Sequence, residues 1–279
     1  MKVLVTGGNG YVGSHVVREL LDQGHETLVC DVAFDAVDKR AIQLKEDIFA
    51  ADEKIYDKLG TPDVCLHLAW RNGFVHNAPT QMGDVSSHYK FLTAMIDGGL
   101  KHLAVMGTMH EVGYWEGAID ENTPCNPLSQ YGIAKDALRR SMMLLCKEKG
   151  VTLQWLRGYY IYGDDSRNHS TFTKLCEAEG RGQESFPFTT GKTKYDFISV
   201  EELAQQIVAA ITQTEVTGII NCCSGIPVSL ADKIEGYIRE KNMSIKLDYG
   251  KYPDRPYDSP ITYGDATKIQ QIMKLQRKI

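Results

Sequence analysis

The stretch LSQYGIAKDALRR, residues 128–140, sets Tyr131 and Lys135 four positions apart. On a helix that spacing puts both side chains on one face. A free tyrosine has a pKa of about 10 and is a poor base at neutral pH. A neighbouring ammonium favours the phenolate. At about 4 Å and an effective dielectric of about 20 the attraction is roughly 4 kcal/mol, or about three pKa units before desolvation of the lysine is subtracted. Such a pair exchanges a proton near neutrality. Tyr-x-x-x-Lys alone is frequent on solvated helix faces. Here it follows a glycine-rich turn and a strand, HLAVMGT, that ends in the hydroxyl residue Thr108.

The glycine turn, VTGGNGYVG at residues 5–13, fits two dinucleotide fingerprints. Gly8, Gly10 and Gly13 spell G-x-G-x-x-G; Gly7, Gly10 and Gly13 spell G-x-x-G-x-x-G. In either, one glycine permits a tight turn, one lets the backbone meet a pyrophosphate held at a helix N-terminus, here the first turn at Tyr11 and Val12, and one lets the helix pack on the strand. Asp31 ends the next strand at the spacing of an acid that binds the adenosine ribose. Val32 and Ala33 follow it, not an arginine, and a carboxylate repels a ribose 2′-phosphate, so NAD is expected rather than NADP.

These residues need a frame. KVLVT (2–6), TLVCD (27–31), DVCLHLA (63–69), HLAVMGT (102–108) and VTLQWLRG (151–158) read as apolar strands. Helical spacing predicts helices over 11–23, 80–97 and 129–149. The alternation predicts an α/β fold, a Rossmann-type doubly wound parallel sheet. The pattern loosens after about residue 160, with a helix near 201–212, a strand at 218–223 and a helix near 229–241. Residues 1–160 are therefore expected to form the dinucleotide-binding domain. Residues 161–279 are expected to be a smaller, mainly substrate-binding part, interleaved with the first. The 279 residues are 43% hydrophobic with a formal net charge of −5. No basic stripe points to nucleic acid, and no stretch has the length of a membrane span. Seven scattered cysteines without a C-x-x-C pair read as reduced thiols, which points to the cytoplasm.

The combination of turn, strand and Tyr-x-x-x-Lys resembles the short-chain dehydrogenase/reductase superfamily, and within it the extended branch, the NAD-dependent epimerase/dehydratase family acting on nucleotide sugars. TGGNGYVG resembles its T-G-x-x-G-x-x-G turn, which selects Gly7, Gly10 and Gly13. EDIFA carries Asp47-Ile48, like the pair that meets the adenine. HLAW (67–70) resembles H-L-A-A, which implies that Leu68 and Ala69 line the cofactor. LRGYYIYGD, YDFISVEELA, NCCSGIPVSL and PDRPYDSP resemble further family segments, the last assigning Arg255 to the sugar-nucleotide pyrophosphate. The resemblance implies that Tyr131 and Lys135 are catalytic, that Lys135 also holds the nicotinamide ribose, and that the chain is a homodimer.

Departures fall on the substrate side. The family's S-S-x-x-V-Y-G appears as GTMHEVG. Thr108 is its hydroxyl, assigned to hold the reacting oxygen, although a one-residue shift would put Met109 there. Asp84 replaces an Asn, Tyr195 an Arg, and Tyr160 a substrate-contacting Asn. Trp70, Arg71 and His76 follow the fourth strand at the ligand-binding edge of the sheet and are read as substrate contacts or as a polar loop. Glu111 is read as orienting Thr108 or the substrate. His110-Glu111 lacks the second histidine of H-E-x-x-H, so no metal is expected. Asp164, Asp165, Arg167 and His169 read as a solvated loop, and the Met142–Leu145 run as helix packing surface. No Asp directly follows Thr108, which disfavours dehydration. The chain has the length of nucleotide-linked 4-keto-6-deoxysugar reductases. The expected function is thus oxidation or reduction at a nucleotide-sugar carbon, C4, with 4-epimerisation as the alternative and a non-catalytic NAD(P) sensor as a remote one.

Overall fold

The computed structural model describes residues 1–163, 168, 170–254 and 258–276. In chain order it runs β1 (Lys2–Thr6), α1 (Tyr11–Asp22), β2 (Glu26–Cys30), β3 (Ile42–Leu44), α2 (Ile55–Lys58), β4 (Val64–His67), α3 (Thr80–Gly83), α4 (Val85–Gly98), β5 (His102–Thr108), β6 (Gly117–Ile119), α5 (Gln130–Lys149) and β7 (Thr152–Gly158). It continues with β8 (Tyr160–Tyr162), α6 (Thr171–Gly180), β9 (Ser185–Pro187), β10 (Lys194–Ser199), α7 (Val200–Ile211), β11 (Gly218–Cys222), β12 (Pro227–Ser229), α8 (Leu230–Glu240), β13 (Lys246–Asp248), β14 (Ile261–Gly264) and α9 (Thr267–Gln276).

Among the described residues a seven-stranded sheet has the order β11-β7-β5-β4-β1-β2-β3, and every pairing in it is parallel. Both faces of its central strands are covered, so they are largely apolar, with a few buried polar residues such as His67, Gln154 and Arg157 among them. Alternation still sorts them. Val3 and Val5 pack with Val16, Val17 and Leu20 of α1 and with Leu203 and Ile207 of α7. Leu4 faces the other way, into a core with Phe91 and Met95 of α4 and Leu138 and Met142 of α5. The strand order reverses between β1 and β4, where such sheets open a ligand crevice.

A smaller sheet has the order β12-β10-β14-β6, with β8 also paired to β10. Its strands are short and its pairings mixed, β12 antiparallel and the others parallel. Asp196 in β10 is fully buried. Its carboxylate accepts from the Ser224 amide at 2.8 Å, the Ser224 hydroxyl at 2.7 Å, the Gly225 amide at 2.9 Å and the Gly264 amide at 3.1 Å. One side chain thereby ties β10 to β14 and to the turn after β11.

The long helix at 129–149 forms with the boundaries its sequence announces. Ser129 caps it, accepting from Gly132 N at 3.1 Å, and Gly150 ends it in the left-handed region. The single helix expected over 80–97 is two, α3 and α4, interrupted at Asp84. The cysteines are all free. No described helix is long and apolar enough to cross a membrane.

Candidate active site

The glycine turn joins β1 to α1. Gly7 has φ +75°, and a Cβ on it would lie 2.6 Å from Ala69 N; a Cβ on Gly13 would lie 2.1 Å from Gly7 O. The first glycine lets β1 meet the end of β4, and the last lets α1 close on the turn. Gly8 instead faces Val29 and Val17 in the core. Gly10 is the N-cap of α1, and no side chain caps that end. The first-turn amides of Tyr11 and Val12 thus form an anion-ready helix start.

Asp31 stands at the end of β2, accepting from Asn9 N at 2.9 Å and Val32 N at 2.7 Å. Asn9 accepts from Ala36 N at 2.8 Å, so the turn and the segment after β2 hold each other. Arg40 farther along is bound to Asp38 and Asp22, each at 2.8 Å, two carboxylates that compete with any 2′-phosphate for it. Asp47 caps the turn Ile48–Ala50 through Phe49 N at 2.9 Å. Leu68 N and Ala69 N bond to Thr6 at 3.1 and 3.5 Å, which fixes their backbone beside Gly7. These residues fit a dinucleotide: a glycine cradle that a Cβ would fill, an uncapped helix start and a carboxylate at the second strand.

Thr108 ends β5 and caps the short turn Met109–Glu111. Its hydroxyl accepts from His110 N at 3.3 Å and its amide donates to Glu111 at 2.8 Å. Met109 packs into the hydrophobic core, while Thr108 hydrogen-bonds the Tyr131 side chain. Tyr131 opens α5. Its amide donates to His76 O at 2.8 Å. Its ring stacks on His76 at 5.2 Å and meets the edges of Trp70 at 6.2 Å and His110 at 6.1 Å.

Lys135 lies one turn on and is buried. Its Nζ donates to Met106 O at 2.8 Å, sits 3.8 Å from the Trp70 ring centre and is 6.0 Å from that of Tyr131. The lysine is held by a carbonyl and an indole face. Burial lowers the Lys135 pKa to about 7, against a rise caused by the Glu111 charge. Burial, with Glu111, pushes the Tyr131 phenol well up, against a hydrogen bond with Thr108. Desolvation outweighs the opposing effect of Glu111 on the lysine and of the Thr108 hydrogen bond on the phenol, and both groups are driven towards their neutral forms.

Three of the residues expected to meet substrate are engaged by other side chains. Glu111 is fully buried. It accepts from Thr108 N, from Trp155 Nε1 at 2.9 Å and from Arg157 at 3.4 Å, with Arg139 at 3.6 Å. It orients the Thr108 turn and has no face left for substrate. Arg71 is exposed and clamps Asp84 at 2.7 and 2.5 Å. Tyr160 is in the smaller sheet, 4.1 Å from the Tyr195 ring, and Tyr195 donates to Asp258 at 2.9 Å. Arg255, and the loop residues Asp164, Asp165, Arg167 and His169, lie outside the described residues.

Sequence reasoning passed over His110, weighed only as a metal ligand, and the role of Trp70 beneath Lys135. The signal was available in HLAW, which carries an indole where the similar motif carries a methyl. It also passed over Gln81 and the Asp196 hub.

The sequence profile described as NAD dependent epimerase/dehydratase family matches residues 3–223. The chain is 44% identical over 271 residues to the dTDP-6-deoxy-L-talose 4-dehydrogenase (NAD(+)) of Aggregatibacter actinomycetemcomitans, covering 95% of this chain and 99% of that one. It is 26% identical over 309 residues to the UDP-glucose 4-epimerase of Lactobacillus helveticus, covering 98% and 91%. Among solved structures, the UDP-N-acetylglucosamine 4-epimerase of Methanobrevibacter ruminantium M1 superposes with a TM-score of 0.84 at 21% identity, covering 97% and 91%. The Thermus thermophilus UDP-glucose 4-epimerase complexed with NAD gives 0.79 at 20%, covering 97% and 92%.

Proposed function

Because the chain belongs to the NAD dependent epimerase/dehydratase family, we propose that it oxidises or reduces C4 of a nucleotide-linked 6-deoxysugar, with dTDP-6-deoxy-L-talose as the first substrate to try. The enzyme is an NAD-dependent oxidoreductase. The observation that carries the choice of oxidoreduction over epimerisation is the 44% identity along nearly the whole of both chains to a 4-dehydrogenase.

Gly7, Gly10, Gly13 and the amides of Tyr11 and Val12 would hold the pyrophosphate. Asp31 would take the adenosine ribose, Asp47 and Ile48 the adenine, and Leu68, Ala69 and Lys135 the nicotinamide end. Bound NAD supplies the hydride acceptor or donor. Tyr131 moves the proton of the reacting hydroxyl, and Thr108 holds the same oxygen. The phenol, kept protonated by burial, is a ready donor for reduction. For oxidation, Tyr131 first delivers its proton to solvent; Lys135 as an ammonium stabilises the resulting phenolate, which then accepts the proton of the sugar hydroxyl and becomes a neutral phenol again. Trp70, His76, Tyr160 and Arg255 are the proposed sugar-nucleotide contacts, and residues 161–279 the mainly substrate-binding part. Ile133, Met143 and Leu144 of α5 are exposed apolar side chains, Leu144 at 72%, which supports a homodimer through this helix. Seven unpaired thiols support a cytoplasmic setting.

The test mixes the purified chain with NAD and dTDP-6-deoxy-L-talose and follows nicotinamide absorbance and the sugar product. Stoichiometric NADH formation is expected. Conversion between C4 epimers without NADH would replace this reading with epimerisation, and neither, with NAD bound, would leave a cofactor-binding protein.

A further inference from the structure

The loop at residues 71–79 braces the start of the catalytic helix. His76 O accepts from Tyr131 N at 2.8 Å, and Asn77 Oδ1 accepts from Gln130 N at 3.1 Å. These are among the amides that a helix start leaves without intrahelical partners. Bonds from Arg71 to Asp84 and from Asn72 to Thr80 tie the loop down at its start, and one buried side chain anchors it from beneath. Gln81 of α3 is fully buried. Its Oε1 accepts from Trp70 Nε1 at 2.7 Å, and its Nε2 donates to the carbonyls of Asn72 at 2.8 Å and Val75 at 3.1 Å. Trp70 in turn lies 3.8 Å beneath the Lys135 ammonium.

One path of contacts therefore runs from Lys135 through Trp70, Gln81 and the loop to the backbone of Tyr131. A primary amide suits its middle, because it offers one acceptor and two donors in fixed geometry. A carboxylate keeps the acceptor and loses both donors; an apolar side chain loses all three and leaves buried polar groups unpaired.

We infer that Gln81 is a positioning residue for the reaction: it holds loop 71–79 and the Trp70 indole in register, and so sets Tyr131 and Lys135 relative to each other. The inference rests on the reading of those two residues as the proton-exchanging pair. Misplacement of a reacting group by about 1 Å costs about 100-fold in rate, so a residue remote from the sugar can control turnover.

The test replaces Gln81 in the full chain and measures turnover of dTDP-6-deoxy-L-talose with NAD, NAD affinity, and backbone hydrogen exchange at Val75 and Tyr131. Gln81→Met is expected to lower kcat by about 10- to 100-fold, to leave NAD affinity unchanged and to speed exchange at both amides. Gln81→Glu is expected to fall between it and the wild type. Should Gln81→Met fail to fold, Trp70→Phe removes the other half of the indole–amide bond while keeping a ring under Lys135. It is expected to change kcat and exchange in the same direction, less strongly. A folded Gln81→Met, or in its place Trp70→Phe, with wild-type kcat overturns the inference, and so does unchanged exchange at Val75 and Tyr131. The exchange arm needs no substrate. If the wild type does not oxidise this sugar the substrate reading fails, while the exchange result still decides for or against Gln81.

Discussion

The two sheets are held together by different physics. The seven-stranded sheet is fixed mainly by apolar strands with a core on each face, and its proposed cofactor features are backbone features: glycines, a helix start, strand ends. The smaller sheet has strands of three to six residues, its own aromatic and aliphatic cluster, and a buried carboxylate bonded to four donors. The first arrangement tolerates exchange of one aliphatic residue for another. The second depends on single polar groups whose loss nothing nearby replaces. On the proposed reading, the cofactor scaffold and the sugar-facing part are thus built from different materials. Tyr131, Lys135 and Thr108 belong to the first by position, and the proposed reaction has them serve the second.

The sharpest way to break this division is at Tyr131. Tyr131→Phe deletes the proton donor and keeps the ring against His76. It should lower kcat by about 1,000-fold while leaving NAD affinity and stability as they are. Absorbance kinetics and a fluorescence titration with NAD check both halves. Retained turnover would remove Tyr131 from the chemistry.

The cofactor half is tested alone by Gly13→Ala. The added Cβ would lie 2.1 Å from Gly7 O and 2.8 Å from Gly8 Cα, both backbone atoms, so the turn itself has to move. A loss of about 3 kcal/mol is expected in denaturant unfolding, with NAD affinity reduced beyond tenfold, or about 1.4 kcal/mol. The substrate half is tested by Asp196→Asn. The amide retains one acceptor and turns donors towards amides that already donate. About 2 kcal/mol should be lost, together with a raised KM for the sugar nucleotide at unchanged NAD affinity. If Asp196→Asn weakened NAD as much as the sugar, the two regions would not be separable.

The same division explains what could be read from the sequence. The five strands named there for the large sheet, and α1, α5 and α7, announce themselves through apolar runs, caps and glycine stops. Thr108, Tyr131 and Lys135 stand out because the surrounding pattern fixes their element. Strands such as β6, β8 and β12 are too short to show a period, and their pairing partners are remote in the chain. Asp196 reads as an ordinary strand residue until its four donors, from Ser224, Gly225 and Gly264, are brought to it. Glu111 looked available to substrate because burial by Trp155, Arg157 and Arg139 is a tertiary fact. The 6.0 Å between Lys135 and the Tyr131 ring centre is likewise tertiary: spacing puts the two on one face, and Trp70 and Met106 O decide where the ammonium rests.

The smallest effect concerns that ammonium. In the folded chain burial lowers Lys135 to about 7 from an ordinary value of 10.5. Between those limits the unfolded chain binds a proton that the folded chain largely lacks, so stability rises with pH, by at most about 1.4 kcal/mol per unit. Other groups bound the useful window. His88, lowered by burial to about 3, and His67, also lowered, contribute the same sign below their ordinary 6.5. The buried thiols act oppositely. Cys30 and Cys146 are pushed up to about 11 from 9.0. Above about 9 the unfolded chain therefore loses thiol protons that the folded chain retains, and stability falls. Urea unfolding without NAD should give a stability that climbs between about pH 7.5 and 8.5 by about 1 kcal/mol and turns down above about 9. Lys135→Met should abolish the climb and keep the downturn, because it removes the titrating amine and leaves the thiols buried. A climb that survives the substitution would mean that the lysine is not desolvated, and that the seam between the two regions is open to water before either ligand arrives.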